Sequence, residues 1–267
     1  MLRYVAGNNR NKLIQCSKTL LSNNKFPIVN YIVEDNDKYR VTNEYNTLFK
    51  YIDKEYKIAL KLSSFDFDRH LLEDIINKYT TKNIQIIIDA EQDKNYEKYR
   101  EITNTLMYKY NKSSINIIKT YQMYRKDSLD ELNDDIKFMK NNGVLFAPKL
   151  VRGAYYYQEK HGGHLFKKKE DTDENYDNAI LKCYNEKNRY NIIASHNKNS
   201  IYFASRLNRE NIFTFAHLLG MNETFMTKIK NNHKVYTYLP YGPYIKMIPY
   251  LTRRLYENID TLKYMFK

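Results

Sequence analysis

Short apolar runs recur along the chain at 28–33, 57–62, 84–89, 115–122, 144–151, 190–195, 211–216 and 234–239, and the stretches between them carry helical spacing. The runs do not alternate strictly between apolar and polar residues, which fits strands buried on both faces of a parallel sheet. Leu129, Leu132, Ile136 and Met139 form an apolar helical stripe, and Ser128 with Glu131 is spaced as a capping box at its start. Tyr176, Ile180, Cys183 and Tyr184 form a second stripe, Asn222 is placed to cap the helix before the last run, and a further helix is expected over 9–24, ahead of the first strand. Strand–helix alternation repeated eight times predicts a (β/α)8 barrel of the TIM type with an extra N-terminal helix; a doubly wound open sheet is the competitor. With no low-complexity linker, residues 1–267 are expected to form one domain.

Polar residues gather where these strands end. Lys61 closes the second run, Asp89 and Glu91 the third, Gln122 the fourth, Lys149 and Arg152 the fifth, and Ser195, His196 and Asn197 the sixth. In a barrel these positions converge on one mouth, where such enzymes place their chemistry, and charges drawn into it need partners. Gly153, Gly220 and Gly242 fall just past the fifth, seventh and eighth runs, where a tight turn or a ligand approaching the backbone favours glycine. The longest irregular stretch, 156–172, follows the fifth run and contains Gly162 and Gly163; loops of that length inside a compact domain are usually functional. Beyond Tyr238 in the eighth run, Tyr250 precedes Arg253 and Arg254 by three and four residues, so all three can share one helix face. Paired guanidinium groups there offer forked donors to a carboxylate or phosphate.

The net charge of +13 first suggests nucleic acid. The lysines are scattered, however, and the one dense run, Lys167 to Lys169, is followed at once by Glu170 and Asp171, so no dedicated nucleic-acid role is expected. No apolar run approaches the roughly 20 residues of a membrane span, and the first residues show no secretory h-region, so the chain is expected to be cytoplasmic, meeting a membrane only peripherally. Cys16 and Cys183 read as separate reduced thiols, no His/carboxylate spacing suggests a metal, no GxGxxG follows the first strand, and no nucleophile elbow is present.

Several segments resemble the proline dehydrogenase family: KLVRGAY at 149–155, DAE at 89–91, the Gln of YQMY at 121–124, ASHN at 194–197, LLGM at 218–221, and YLPYGP with PYLTRRLYEN over 238–258. RYVAG at 3–7, LKLS at 60–63 and FKKKEDTDENY at 166–176 belong to the same match, which runs in order over nearly the whole chain. The resemblance implies a distorted (β/α)8 barrel holding FAD that oxidises L-proline to Δ1-pyrroline-5-carboxylate and passes its electrons to a quinone. It implies that Lys61, Arg253 and Arg254 bind the substrate carboxylate, with Tyr238, Tyr250 and Leu218 around the ring. Asp89 would support the cationic cluster, and Lys149 would lie beside the reactive flavin nitrogen. Ala90, Gln122, Arg152, Gly153, Ala154, Ser195 and His196 fall where the family holds FAD, and Lys168 where a basic residue meets its far end. Glu34 aligns with a gating carboxylate that pairs with the position of Arg253.

The chain departs from the family pattern at Val33, which stands for a glycine before Glu34, and at His217 and Ser195, which stand for glutamine and threonine. Tyr238 points to proline, because relatives acting on hydroxyproline have a smaller residue there. The chemistry is consistent: a zwitterionic amino acid in a dry pocket needs cations for its carboxylate and an apolar surface for its ring. The alternatives are another FAD barrel, such as a methylenetetrahydrofolate reductase-like enzyme, and a basic barrel that binds nucleic acid. The sequence sets no oligomeric state.

Overall fold

The computed structural model describes residues 4–32 and 37–257, with the backbone alone at 249, 250 and 253–257. The gate position Glu34 and its neighbour Val33 lie outside the described residues, as do the side chains of Tyr250, Arg253 and Arg254. In chain order the elements are α1 (Arg10–Ser22), β1 (Phe26–Tyr31), α2 (Lys38–Leu48), β2 (Lys57–Lys61), α3 (Arg69–Thr80), β3 (Gln85–Asp89) and α4 (Tyr96–Tyr110). There follow β4 (Ile117–Gln122), α5 (Ser128–Asn141), β5 (Pro148–Val151), α6 (Tyr156–Glu159), α7 (Lys169–Asn185) and β6 (Asn191–Ala194). The chain continues with α8 (Lys198–Leu207), β7 (Phe213–Leu218), α9 (Glu223–Lys230), β8 (Val235–Tyr241) and α10 (Tyr244–Glu257).

Each strand pairs in parallel with the next, and β8 pairs with β1, closing the barrel that the alternating runs predict. Side chains alternate across a strand, so one parity on each strand points inward. The middle inward layer is a dry plug of Ile28, Ala59, Ile87, Ile118, Ala147, Ile192, Ala216 and Tyr236. Small alanines opposite isoleucine and tyrosine fill the bore without a channel. The other parity, including Val29, Ile58, Leu60, Ile86, Ile88 and Leu150, packs outward under the helices. Two residues above the plug the inward parity reaches Lys61, Asp89, Thr120, Lys149, Leu218 and Tyr238, and two residues further along β4 it reaches Gln122. The site therefore forms the upper layer of the same stack.

Local outcomes differ from expectation at five places. The fifth strand starts at Pro148 rather than 144, because the amide of Leu145 bonds to the carbonyl of Asn111 and the Asn111 side chain takes the carbonyl of Leu145. The irregular stretch after β5 is shortened by α6 and by the start of α7 at Lys169. Ser128 and Glu131 do not form a capping box: the Ser128 hydroxyl donates to the Arg125 carbonyl at 2.7 Å, and Glu131 lies 2.7 Å from the buried ammonium of Lys119. A buried cation holds a carboxylate more strongly than a backbone amide does. Tyr184 is 38% exposed, so the buried stripe of α7 ends at Cys183.

Asn222 does sit at the start of α9, but in the left-handed region, with its amide donating to the carbonyl of His196 instead of capping. Both cysteines are unpaired thiols, and burial pushes Cys183 up to about 12. No helix among the described residues is long and apolar enough to cross a membrane.

Candidate active site

At the mouth, the Lys149 ammonium donates to Asp89 Oδ1 at 2.6 Å, and the Tyr238 hydroxyl donates to Asp89 Oδ2. The three residues come from β5, β3 and β8, so they meet only because the barrel closes. The Lys149 nitrogen also lies 5.2 Å from the centre of the Tyr238 ring. Lys149 is 6% exposed; an ammonium that deep needs a counter-charge, which Asp89 supplies.

Beside this trio, Lys61 lies 3.9 Å from Glu91 and 5.4 Å from the ring of Tyr155. Register sets Lys61 of β2 directly against Asp89 of β3. Glu91 is only 1% exposed. Its burial raises its pKa, opposed by Lys61 and by the amide of Ser63, which donates to Oε1 at 2.8 Å. From the sequence Glu91 is a strand-end carboxylate without an assigned role. Its signal was its place in DAE, two residues past an inward Asp. Gln122 donates through Nε2 to the carbonyl of Glu91 at 3.1 Å, and its Oε1 is buried with no hydrogen-bond partner among the described residues. Tyr155 donates to the carbonyl of Ala90 at 3.4 Å, closing this group.

A third group surrounds Arg152. Its guanidinium donates to Asp173 at 2.6 Å, Ser195 at 2.6 Å and Ser200 at 2.9 Å, and stacks 4.3 Å from the Tyr176 ring. Burial works against the Asp173 carboxylate, but hydrogen bonds from Lys169 and Arg152 prevail and hold its pKa below the usual range. Asp173 and Ser200 were not foreseen, because each lies on a helix that only the closed barrel brings to Arg152. Gly153 follows with φ +142°, its bare Cα facing the ring of Tyr124; Ala154 is half-buried next to it. His196 accepts the amide of Leu218 at 3.2 Å, which joins the ends of β6 and β7.

Lys168 stands apart. It is exposed at the start of α7 and, among the described residues, makes no hydrogen bond or ion pair with the other candidates. Tyr250, Arg253 and Arg254 lie on α10, which directly follows β8. Among the described residues no cluster of His, Cys, Asp and Glu could hold a metal.

The proline dehydrogenase family model matches residues 26–265. The chain is 32% identical over 211 residues to the mitochondrial proline dehydrogenase 1 of Caenorhabditis elegans, covering 71% of this chain and 34% of that protein. It is 30% identical over 211 residues to the human mitochondrial proline dehydrogenase 1, covering 72% and 35%. The chain thus spans about a third of the length of these relatives. A crystal structure of proline utilization A from Bdellovibrio bacteriovorus, inactivated by N-propargylglycine, superposes with a TM-score of 0.88 at 18% identity over 96% of this chain and 32% of that one. At that identity the likeness shows the fold. The relatives' mitochondrial names overturn the expectation of a cytoplasmic protein. That expectation rested on the first residues, which carry no information on location in a chain spanning a third of its relatives. With the model matching residues 26–265 over this barrel, the chain belongs to the proline dehydrogenase family.

Proposed function

We propose that residues 1–267 form one catalytic domain that oxidises L-proline to Δ1-pyrroline-5-carboxylate with FAD as cofactor and a quinone as electron acceptor, in mitochondria. The observation that carries this reading is the Asp89 carboxylate holding Lys149 and Tyr238 together at the barrel mouth. One carboxylate thereby sets the cation expected beside the flavin next to the ring expected against the substrate, which brings the two reactants to one point of the mouth. Lys61 adds a second cation, and α10 carries the two arginines and Tyr250 of the family pattern.

The residues present suit a flavin. Gln122 has a buried amide oxygen without a partner among the described residues, placed to accept from a donor on the cofactor. Ala90, Gln122, Gly153, Ala154, Ser195 and His196 would hold the cofactor, with Arg152 organising Ser195 and Lys168 at its outer end. When bound, the flavin supplies the hydride acceptor; the protein orients, tunes and excludes water. Lys149 would sit beside the flavin, where its positive charge would favour the electron-rich reduced form. Leu218 and Tyr238 line the substrate side with apolar surface, and Glu34 with Arg253 would close it.

The test is anaerobic addition of L-proline to purified protein carrying FAD. Loss of the visible flavin band on adding proline is expected. Protein that takes up no flavin when FAD is supplied, or a band that proline leaves unchanged, refutes the reading.

A further inference from the structure

The segment from Gly153 to Lys168 contains a histidine that the chemistry above does not use. His164 Nε2 is buried, has no hydrogen-bond partner among the described residues, and points between two carboxylates. It lies 3.4 Å from Asp93 Oδ1 and 3.9 Å from Glu159 Oε2. Gly162 makes room for the ring, since a Cβ there would meet His164 Cε1 at 2.5 Å.

The groups facing the imidazole come from three loops. Glu159, 8% exposed at the end of α6, accepts the Asp93 amide at 2.8 Å and the Tyr124 hydroxyl at 2.7 Å. Both partners are neutral, and among the described residues His164 is the only basic side chain within ion-pair distance of Glu159. Asp93 is already paired with Arg125 at 2.8 Å, and Arg125 also pairs with Asp127 at 3.1 Å. Lys126 donates its amide to the His164 carbonyl at 3.0 Å and its ammonium to the Gly163 carbonyl at 2.7 Å. An antiparallel bridge between Arg125 and Leu165, and the Phe166 amide on the Tyr124 carbonyl at 2.9 Å, complete the seam.

We propose that His164 is a protonatable clasp: charged, it supplies the counter-ion of Glu159 and a second cation to Asp93, fastening the Gly153–Lys168 segment over the cofactor; neutral, it lets the segment loosen. His164 and Glu159 are thus positioning residues for the cofactor, and the clasp rests on the flavin reading above. Histidine is the side chain that changes charge across the physiological range, and a charge-assisted bond is roughly twice as strong as a neutral one.

The experiment compares wild type, His164→Gln and Asp93→Asn between about pH 5.5 and pH 8.5. Two readouts are followed: hydrogen–deuterium exchange of the 160–168 amides, corrected for intrinsic rates, and release of flavin fluorescence after dilution. Wild-type protection and flavin retention are expected to rise by about three- to tenfold as the pH falls. His164→Gln should show neither rise, and Asp93→Asn a reduced one. If His164→Gln follows the wild-type profile in both readouts, the clasp is refuted. If no flavin binds but the wild-type exchange keeps a pH dependence that His164→Gln loses, the flavin reading fails and the clasp stands.

Discussion

Lys149 of β5 and Asp89 of β3 are joined by a 2.6 Å hydrogen-bonded ion pair, although 60 residues separate them in sequence. The second Asp89 oxygen takes the Tyr238 hydroxyl, so one carboxylate organises the mouth. Asp89→Asn keeps the shape and removes the charge. It is expected to lower kcat/KM for L-proline by about 10²–10³, the usual cost of losing an electrostatic partner in a dry site. Tyr238→Phe removes only one of two contacts and should cost about tenfold, in line with a single hydrogen bond. Steady-state kinetics on the two variants check the order.

Lys57 is a buried lysine of the opposite kind. It is 4% exposed at the floor of the barrel, 4.4 Å from the Tyr236 ring, and makes no ion pair among the described residues. Burial, then the charge of Lys234, hold its pKa well below the usual lysine range. An unfolded lysine takes up its proton at about pH 10.4. Between the lowered folded value and that pH the unfolded chain therefore binds more protons, and stability rises with pH across the window. Lys57→Met keeps the volume and removes the desolvation cost. Gln85, which accepts from Lys57, still receives the Tyr190 hydroxyl at 3.0 Å. The variant should be more stable by on the order of 1–3 kcal/mol at neutral pH and lose that slope, as thermal denaturation over pH would show.

Lys119 is buried just as completely, but its parity on β4 points it outward into the helix layer. There it meets Asp135 at 2.6 Å, Glu131 at 2.7 Å and the Asn104 oxygen at 2.8 Å. Asp135 also accepts the Tyr121 hydroxyl at 2.7 Å. Lys119→Met leaves the Asp135 carboxylate without a cation among the described residues and Glu131 with Arg100 alone, and should cost about 3–5 kcal/mol in chemical denaturation. The same substitution is thus expected to act with opposite sign at Lys57 and Lys119, and equal effects at both would contradict this account.

The contrast also explains what could be read from the sequence. The barrel was legible because eight apolar runs with buried parity admit few packings, and Lys61, Asp89, Gln122 and Lys149 were legible because each ends such a run. Glu91 and Glu159 acquire their partners only when segments from different strands meet, and Asp173, paired locally with Lys169, reaches Arg152 in the same way; no local pattern encodes that meeting. Ser128 and Glu131 have the spacing of a capping box, yet a lysine from a neighbouring strand claims the glutamate. The start of the fifth strand was displaced in the same way, by Asn111 at the far end of α4.

Gly153 offers the sharpest test of how the loop proposed to hold the cofactor is built. Its φ of +142° lies where side chains are rarely tolerated, and a Cβ would stand 2.4 Å from the ring of Tyr124. That ring cannot swing aside freely, because its hydroxyl is tied to Glu159 at 2.7 Å. Gly153→Ala therefore faces two separate penalties, backbone strain of about 1–3 kcal/mol and a collision in a packed seam. The variant should melt lower and retain flavin poorly. Adding Tyr124→Ala removes the collision but not the strain, and it also frees Glu159. If the collision dominates, the double variant retains more flavin than Gly153→Ala alone; if strain dominates, the second change lowers retention further. Melting temperature and flavin content of the three proteins, measured side by side, separate the two penalties.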